Sequence, residues 1–142
     1  MGGFSALIMP FYMPVRAVAA FSPQFSISPE VVPDEKRWEI YRDRISEIKI
    51  PSIKEFLADQ TEYYVFHGRH PREAPQREPF PRKANLHHFI MRNTVHNTSQ
   101  RLKQFGLLSD VIQAAFSRDT PRVTDLLGQA LGKKRADETG NN

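Results

Sequence analysis

The residues best equipped for chemistry in this chain are its five histidines, His67, His70, His87, His88 and His96, all inside one stretch. His67 and His70 stand three apart. At that spacing two imidazoles can reach one metal ion, with His87, His88 or His96 as a third ligand and the Glu73 carboxylate beside them. Two features speak against a metal centre. The first pair flanks Gly68 at the edge of a proline-rich segment, and His87 and His88, read as neighbours on a helix, point to different faces. The sequence therefore predicts no metal ligand, and the histidines read as interface side chains that bond backbone carbonyls, carboxylates or phosphates.

Carboxylate pairs for acid–base work find no better support. The acidic residues concentrate where Lys36, Arg37, Arg42, Arg44 and Lys49 are interleaved with them, the pattern of solvated i, i+4 pairs. Tyr63 and Tyr64 beside Phe66 could stack on a base or a cofactor ring, but aromatic residues at a helix end serve more often as packing anchors. There is no glycine-rich phosphate loop, zinc-protease helix motif or nucleophile elbow. Cysteine is absent, which removes disulfides and thiolate ligands. No catalytic residue and no cofactor is assigned, and the chain reads as a non-enzyme.

The second chemically distinctive set is basic. From His67 to Lys83 the chain reads HGRHPREAPQREPFPRK, with Pro71, Pro75 and Pro79 four apart and Pro81 after them. Each proline fixes φ and biases its predecessor away from the helical region, so the spacing predicts an extended strap with ~3.1 Å of reach per residue. Arg69, Arg72, Arg77 and Arg82 present planar forks suited to carboxylate or phosphate. The spacing is not P-x-x-P, which disfavours docking to an SH3 domain. A pure linker would gain nothing from Phe66 and Phe80. Charge is segregated as well: residues 66–107 carry a net +6 and residues 30–65 a net −3, against +4 for the whole chain. Glu73 and Glu78 interrupt the basic run, which favours an acidic protein groove over nucleic acid, whose binding extensions are more uniformly basic.

The elements that must position these residues read as helices. Pro33-Asp34 opens one whose apolar stripe is Trp38, Tyr41, Ile45 and Ile48; Ser52 and Glu55 form a capping box for the next, with Gly68 as its terminator. Asn85 and Gly106 bracket a third in which the apolar face changes partway, from Leu86, Phe89 and Ile90 to Met91, Val95 and Leu102. An αα-hairpin with a cap at Asp119 or Thr120 and Pro121 at the first helical position closes the chain. The expected fold is all-α and non-compact, with short helices at about 34–49, 52–66, 86–105, 109–117 and 121–131 joined by extended Pro-rich arms. Its parts are an N-terminal arm (1–32), a helical pair (33–66), the strap (67–84), a helix with the hairpin (85–132) and a charged tail (133–142). Ten of the eleven prolines fall before residue 82 and only 39% of residues are apolar, both of which argue against a single packed body.

Residues 1–29 carry one charge, Arg16, and the apolar run 4–25 is broken by Pro10, Pro14, Arg16 and Pro23. Those breaks favour an apolar arm laid on a partner or a lipid surface over a transmembrane helix. The acid-poor N-terminus and the basic balance tilt localisation toward the mitochondrion, at its inner membrane. The function expected from these features is that of a non-catalytic accessory subunit of a large assembly, of the respiratory-chain or ATP synthase kind. Neighbouring subunits would be bound by Arg69, Arg72, Arg77, Phe80, Arg82 and Lys83 of the strap and by Phe11, Tyr12, Phe21 and Phe25 of the arm. The alternatives are an RNA-contacting mitochondrial ribosomal protein and a cytoskeletal or axonemal lattice protein, with nucleic acid the less favoured partner.

Overall fold

Tyr63, Tyr64, Val65, Phe66 and His67 are consecutive and all fully buried. Such a run of aromatic and β-branched side chains has no polar face, so it suits a strand covered on both sides, the middle of a parallel sheet. The computed structural model describes residues 2–139, and side chains through Ala130, and in it Glu62–Gly68 (β2) is that middle strand. Ala17–Phe21 (β1) and Leu86–Met91 (β3) flank it, both parallel to it, in the order β1-β2-β3. The register sets Val18 beside Tyr63 and Tyr63 beside Leu86.

The period-2 alternation of the strands divides the core in two. Val18, Ala20, Tyr63, Val65 and Leu86 face one layer, built from Gly2–Tyr12 (α1), whose Leu7 is fully buried, and from Phe25, Val32, Ile53, Leu57 and Phe80 of the connections. Tyr64 and Phe66 face the other, where Thr98–Gln104 (α4), Leu108–Phe116 (α5) and Thr120–Thr139 (α6) contribute Leu102, Val111, Val123 and Leu126. Across this face the rings of Phe21, Phe66 and Phe89 stack one per strand, with centroids 4.7 and 5.3 Å apart. Two short helices, Glu39–Arg42 (α2) and Ala74–Arg77 (α3), lie in the two strand-to-strand connections.

The all-α, non-compact arrangement is therefore overturned: the chain is a mixed α/β body around a three-stranded parallel sheet, with many contacts between residues distant in sequence. Helix 52–66 is instead a single 3-10 turn, Lys54–Phe56, followed by β2, and Ser52 bonds the Glu55 carboxylate at 3.0 Å beside it. Helix 86–105 is a strand and a helix, and the change of apolar face within it marks the boundary between them. Helix 34–49 shrinks to α2, because Arg42 turns inward to the carbonyls of Glu35 and Val32 while Trp38, Tyr41 and Ile45 stay exposed. The N-terminal arm is α1 and β1, with Phe25 packed inside and Phe21 half-buried against the core.

The strap is not extended. Pro71–Glu73 is a 3-10 turn that runs into α3, and Phe80 is buried against Phe25 and His67, with centroids 5.5 and 5.2 Å away. Proline at the first positions of a short helix is compatible with helical φ, so the same spacing that allows extension also allows two tight turns. The C-terminal hairpin forms as α5 and α6, with the Asp119 carboxylate accepting from the Arg122 amide at 3.0 Å, but α6 does not stop at 131: it runs on to Thr139, through most of what was expected as a charged tail at 133–142, since Lys, Arg, Ala and Glu there all favour helix. Gly106, at φ +71°, follows α4 in the left-handed conformation that ends a helix. Among the described residues no helix is long and apolar enough to cross a membrane.

Two glycines give opposite expectations. A Cβ on Gly68 would lie 2.1 and 2.2 Å from the carbonyl oxygens of Val95 and Thr94, whereas one on Gly128, inside α6, would meet nothing within 4 Å. Gly68→Ala should cost about 3 kcal/mol, because backbone has to move. Gly128→Ala should stabilise by ~0.5–1 kcal/mol through helix propensity. Urea denaturation of both variants checks the pair, and a neutral Gly68→Ala would contradict the close approach of β2 to the 94–95 turn.

Candidate functional site

Parallel strands bring all their carboxyl ends to one edge, and ligands of open parallel sheets bind there. At this edge β1 leaves through Ser22 at φ 47° and β3 turns through Asn93 at φ 51°, backbone that non-glycine residues adopt rarely. Ser22 Oγ bonds Thr98 Oγ1 at 2.9 Å, which ties the end of β1 to the start of α4. The Arg69 and His70 amides donate to the carbonyls of Met91 and Thr94, at 2.9 and 3.3 Å, tying β2 to the loop after β3.

Beside this edge two carboxylates are buried around one guanidinium. Glu35 and Glu73 are 3% and 1% exposed. Arg37 donates to Glu35 through Nε (2.9 Å) and Nη2 (2.6 Å), and to Glu73 Oε1 through Nη1 (2.5 Å). Burial pushes the Glu73 carboxyl up, but the hydrogen bond from His96 and the charges of Arg37 and His96 outweigh it and leave Glu73 below the usual range. Glu35 behaves alike, with burial opposed by its bonds to Arg37. The hydrogen bonds to Glu35 outweigh the cost of burial and hold Arg37 more firmly protonated.

His96 completes the group, with Nδ1 3.2 Å from Glu73 Oε2. An ionised carboxylate can only accept, so this contact is a hydrogen bond when the ring proton is on Nδ1, the tautomer that leaves a lone pair on Nε2. Arg37 Nη1 also lies 3.2 Å from Nδ1 and donates to it in the other tautomer, in which the ring proton is on Nε2. The His96 side chain is 52% exposed while its partner carboxylate is buried. With the proton on Nδ1 the arrangement is an oriented imidazole whose second nitrogen faces away from Glu73.

Glu73 is held in place by its neighbours. Gln76, in α3, accepts from the amides of Phe25 (2.7 Å) and Ser26 (3.1 Å) and donates to the Ser26 carbonyl (2.9 Å), clamping the α3 turn to the chain after β1. Arg77 donates to the Gly68 carbonyl at 2.9 Å. Underneath, His67 Nε2 donates to the Pro23 carbonyl at 2.9 Å, so its Nδ1 accepts from His88 Nε2, also at 2.9 Å. Burial in apolar surroundings lowers both rings to about 4, and they stay neutral.

The ten residues expected to bind partners scatter. Arg69, Arg72 and Arg82 are exposed, and Phe11 and Tyr12 are exposed at the end of α1 against Phe56. Arg77 serves backbone carbonyls, Lys83 pairs with Asp59 at 2.7 Å, Phe25 and Phe80 belong to the interior, and Phe21 is half-buried against it. Among the described residues no three metal-ligating side chains converge. Glu35, Arg37, Glu73 and His96 were not singled out as a group, since 36 residues separate Arg37 from Glu73 and 23 separate Glu73 from His96. The only local signal was an acidic residue inside a run of arginines. Comparison with protein-family models, with curated proteins and with solved structures finds no match.

The titratable groups give a signed prediction for stability. His67 and His88 bind a proton in the unfolded chain below ~6.5 but in the folded chain only near 4. The unfolded state therefore takes up more protons in that window, and stability falls as pH drops from ~6.5 to ~4, by up to ~3 kcal/mol for His67 and less for the partly exposed His88. Glu35 and Glu73 add stability above their unfolded pKa of ~4.3 and lose it as pH falls through their lowered folded values. Urea unfolding at stepped pH measures both, and a flat profile between pH 6.5 and 4.5 would contradict the neutral histidine pair.

Proposed function

We propose that the chain carries the acid–base half of a hydrolytic site, in which His96 takes a proton from a water nucleophile and Glu73 holds the ring, for cleavage of an ester-class acyl bond. The observation that supports this most directly is the 3.2 Å contact of His96 Nδ1 with a buried carboxylate, on a ring whose Nε2 has no hydrogen-bond partner among the described residues. A base oriented by a third group is the common logic of activated nucleophiles. Carboxylate before histidine in the chain, both beyond the carboxyl ends of parallel strands, parallels by analogy the last two members of a Ser-acid-His constellation on such a sheet.

In that arrangement the nucleophile occupies a strand-to-helix turn. α1 starts at the same edge, since a Cβ on Gly3 would lie 2.9 Å from Pro23 Cβ, just past the end of β1. No hydroxyl among the described residues bonds His96, so the nucleophile in this reading is a water molecule. During acyl transfer the imidazole becomes imidazolium, and the Glu73 charge behind it stabilises that state without itself taking the proton.

A second reading keeps the non-catalytic accessory subunit bound to neighbouring proteins. It draws on the contiguous apolar surface of Met9, Phe11, Tyr12 and Met13, all more than two-fifths exposed, with Phe11 edge-on to Phe56 at 5.0 Å. The two readings use different faces of the molecule.

Both are tested on the full-length protein with 4-nitrophenyl acetate and butyrate. His96→Gln should lower turnover ~10²–10⁴-fold, as loss of a positioned general base does, and because the ring is half-exposed the fold should survive. Glu73→Gln should also lower turnover steeply, with some loss of stability from the broken buried pair, read separately by circular dichroism. Equal rates for wild type and His96→Gln would sink the hydrolytic reading. Loss of assembly in Phe11→Ser/Tyr12→Ser, with turnover unchanged, would support the second.

A further inference from the structure

We propose that the cleft between the exits of β2 and β3 is a seat for a small oxyanion, a carboxylate or phosphate group of the substrate, gripped by Arg69 and Arg92. The register pairs Gly68 with Met91, so the next residue on each strand is an arginine, and the two leave adjacent strands side by side. The Arg69 amide fixes this by donating to the Met91 carbonyl at 2.9 Å. Neighbouring strands lie ~4.8 Å apart, so the two side chains start from adjacent backbone positions. Among the described residues neither guanidinium has a carboxylate partner, unlike Arg37 and Lys83. An anion between them would therefore meet two unpaired guanidinium groups.

The space for it is present. A cleft of about 690 Å³ is lined by Arg69, His70, Arg92, Asn93, Thr94 and Val95, with no acidic side chain among them. His70 Nδ1 accepts from the Arg72 amide at 3.2 Å, so the neutral ring keeps its proton on Nε2, a third donor. The walls are fixed before anything binds. Thr94 Oγ1 donates to the Arg92 carbonyl at 3.0 Å, the His70 amide to the Thr94 carbonyl at 3.3 Å, and Arg77 holds the Gly68 carbonyl at 2.9 Å. Planar guanidinium forks bind carboxylate or phosphate through two parallel bonds, and two of them on a rigid floor select a compact oxyanion.

The cleft ends at Val95, one residue from His96. A substrate anchored there by its anionic group would place its remaining atoms beside the imidazole. The word substrate rests on the hydrolytic reading; the oxyanion seat does not. Its volume exceeds that of one phosphate group, which leaves room for the rest of the molecule.

The test is a calorimetric titration of the full-length protein with sodium phosphate and with sodium succinate, at constant ionic strength held by sodium chloride. Saturable heat with either anion is expected, and the preferred one names the group. Arg69→Gln and Arg92→Gln should each weaken binding at least tenfold, and circular dichroism should show both variants folded. His96→Gln should bind the anion as wild type does, so the seat can stand if the hydrolytic reading fails. Heat that follows ionic strength alone, or unchanged binding in both arginine variants, overturns the proposal. Binding of a single-stranded RNA oligonucleotide that displaces phosphate and weakens linearly with log salt would overturn it in favour of a nucleic-acid backbone.

Discussion

The structure depends on the burial of β2 on both of its faces. Five consecutive side chains, Tyr63 to His67, are removed from water, and their backbone groups need partners in the same plane. β1 and β3 supply those partners, and the two layers of helix and connection supply the apolar cover. A central strand of this kind is unstable alone, which is why α1, the proline-rich connection and the C-terminal helices all converge on it. Tyr64 and Tyr63 show how far the requirement reaches. Their hydroxyls end at Thr120 Oγ1 (3.0 Å) and the Ala58 amide (2.9 Å), so even the polar tips of the core have partners.

The candidate site follows from that constraint. Once three strands run parallel, the residues after each strand meet at one edge, whatever their separation in the chain. Ser22 meets Thr98 and Arg69 lies beside Arg92 in this way, and the turns that follow bring Glu73 and His96 within hydrogen-bonding distance. The short connection between β2 and β3 must also fold back on itself to reach the start of the next strand. Its prolines shape two tight turns, and those turns direct Glu73 and Gln76 inward and Arg72 outward.

Two ionised carboxylates around one guanidinium is a costly thing to bury. Such groups need charge partners and hydrogen bonds together, since removing one partner from a buried pair costs ~3–5 kcal/mol. Here Arg37 serves both acids and His96 sits on the remaining oxygen of Glu73. The ring's position, between a buried charge and open solvent, gives the cluster its chemical interest.

Much of the local structure was legible in the sequence, and the reason is that it is decided locally. Gly106 ending α4, the Asp119 cap and the C-terminal hairpin depend on residues a few positions apart. The sheet was not legible because Tyr63–Phe66 and Leu86–Met91 fit helical spacing as well as a buried strand, and periodicity cannot separate the two without knowing what covers each face. Prolines four apart fix φ but not the turn between them, so strap and folded crossover were equally open to local reasoning. The Glu73–His96 pair lies furthest from what sequence determines. Its members are brought together by strand register, by the clamp of Gln76 on residues 25 and 26, and by the Gly68 backbone pressed on the 94–95 turn, all contacts between segments that only the tertiary structure makes adjacent.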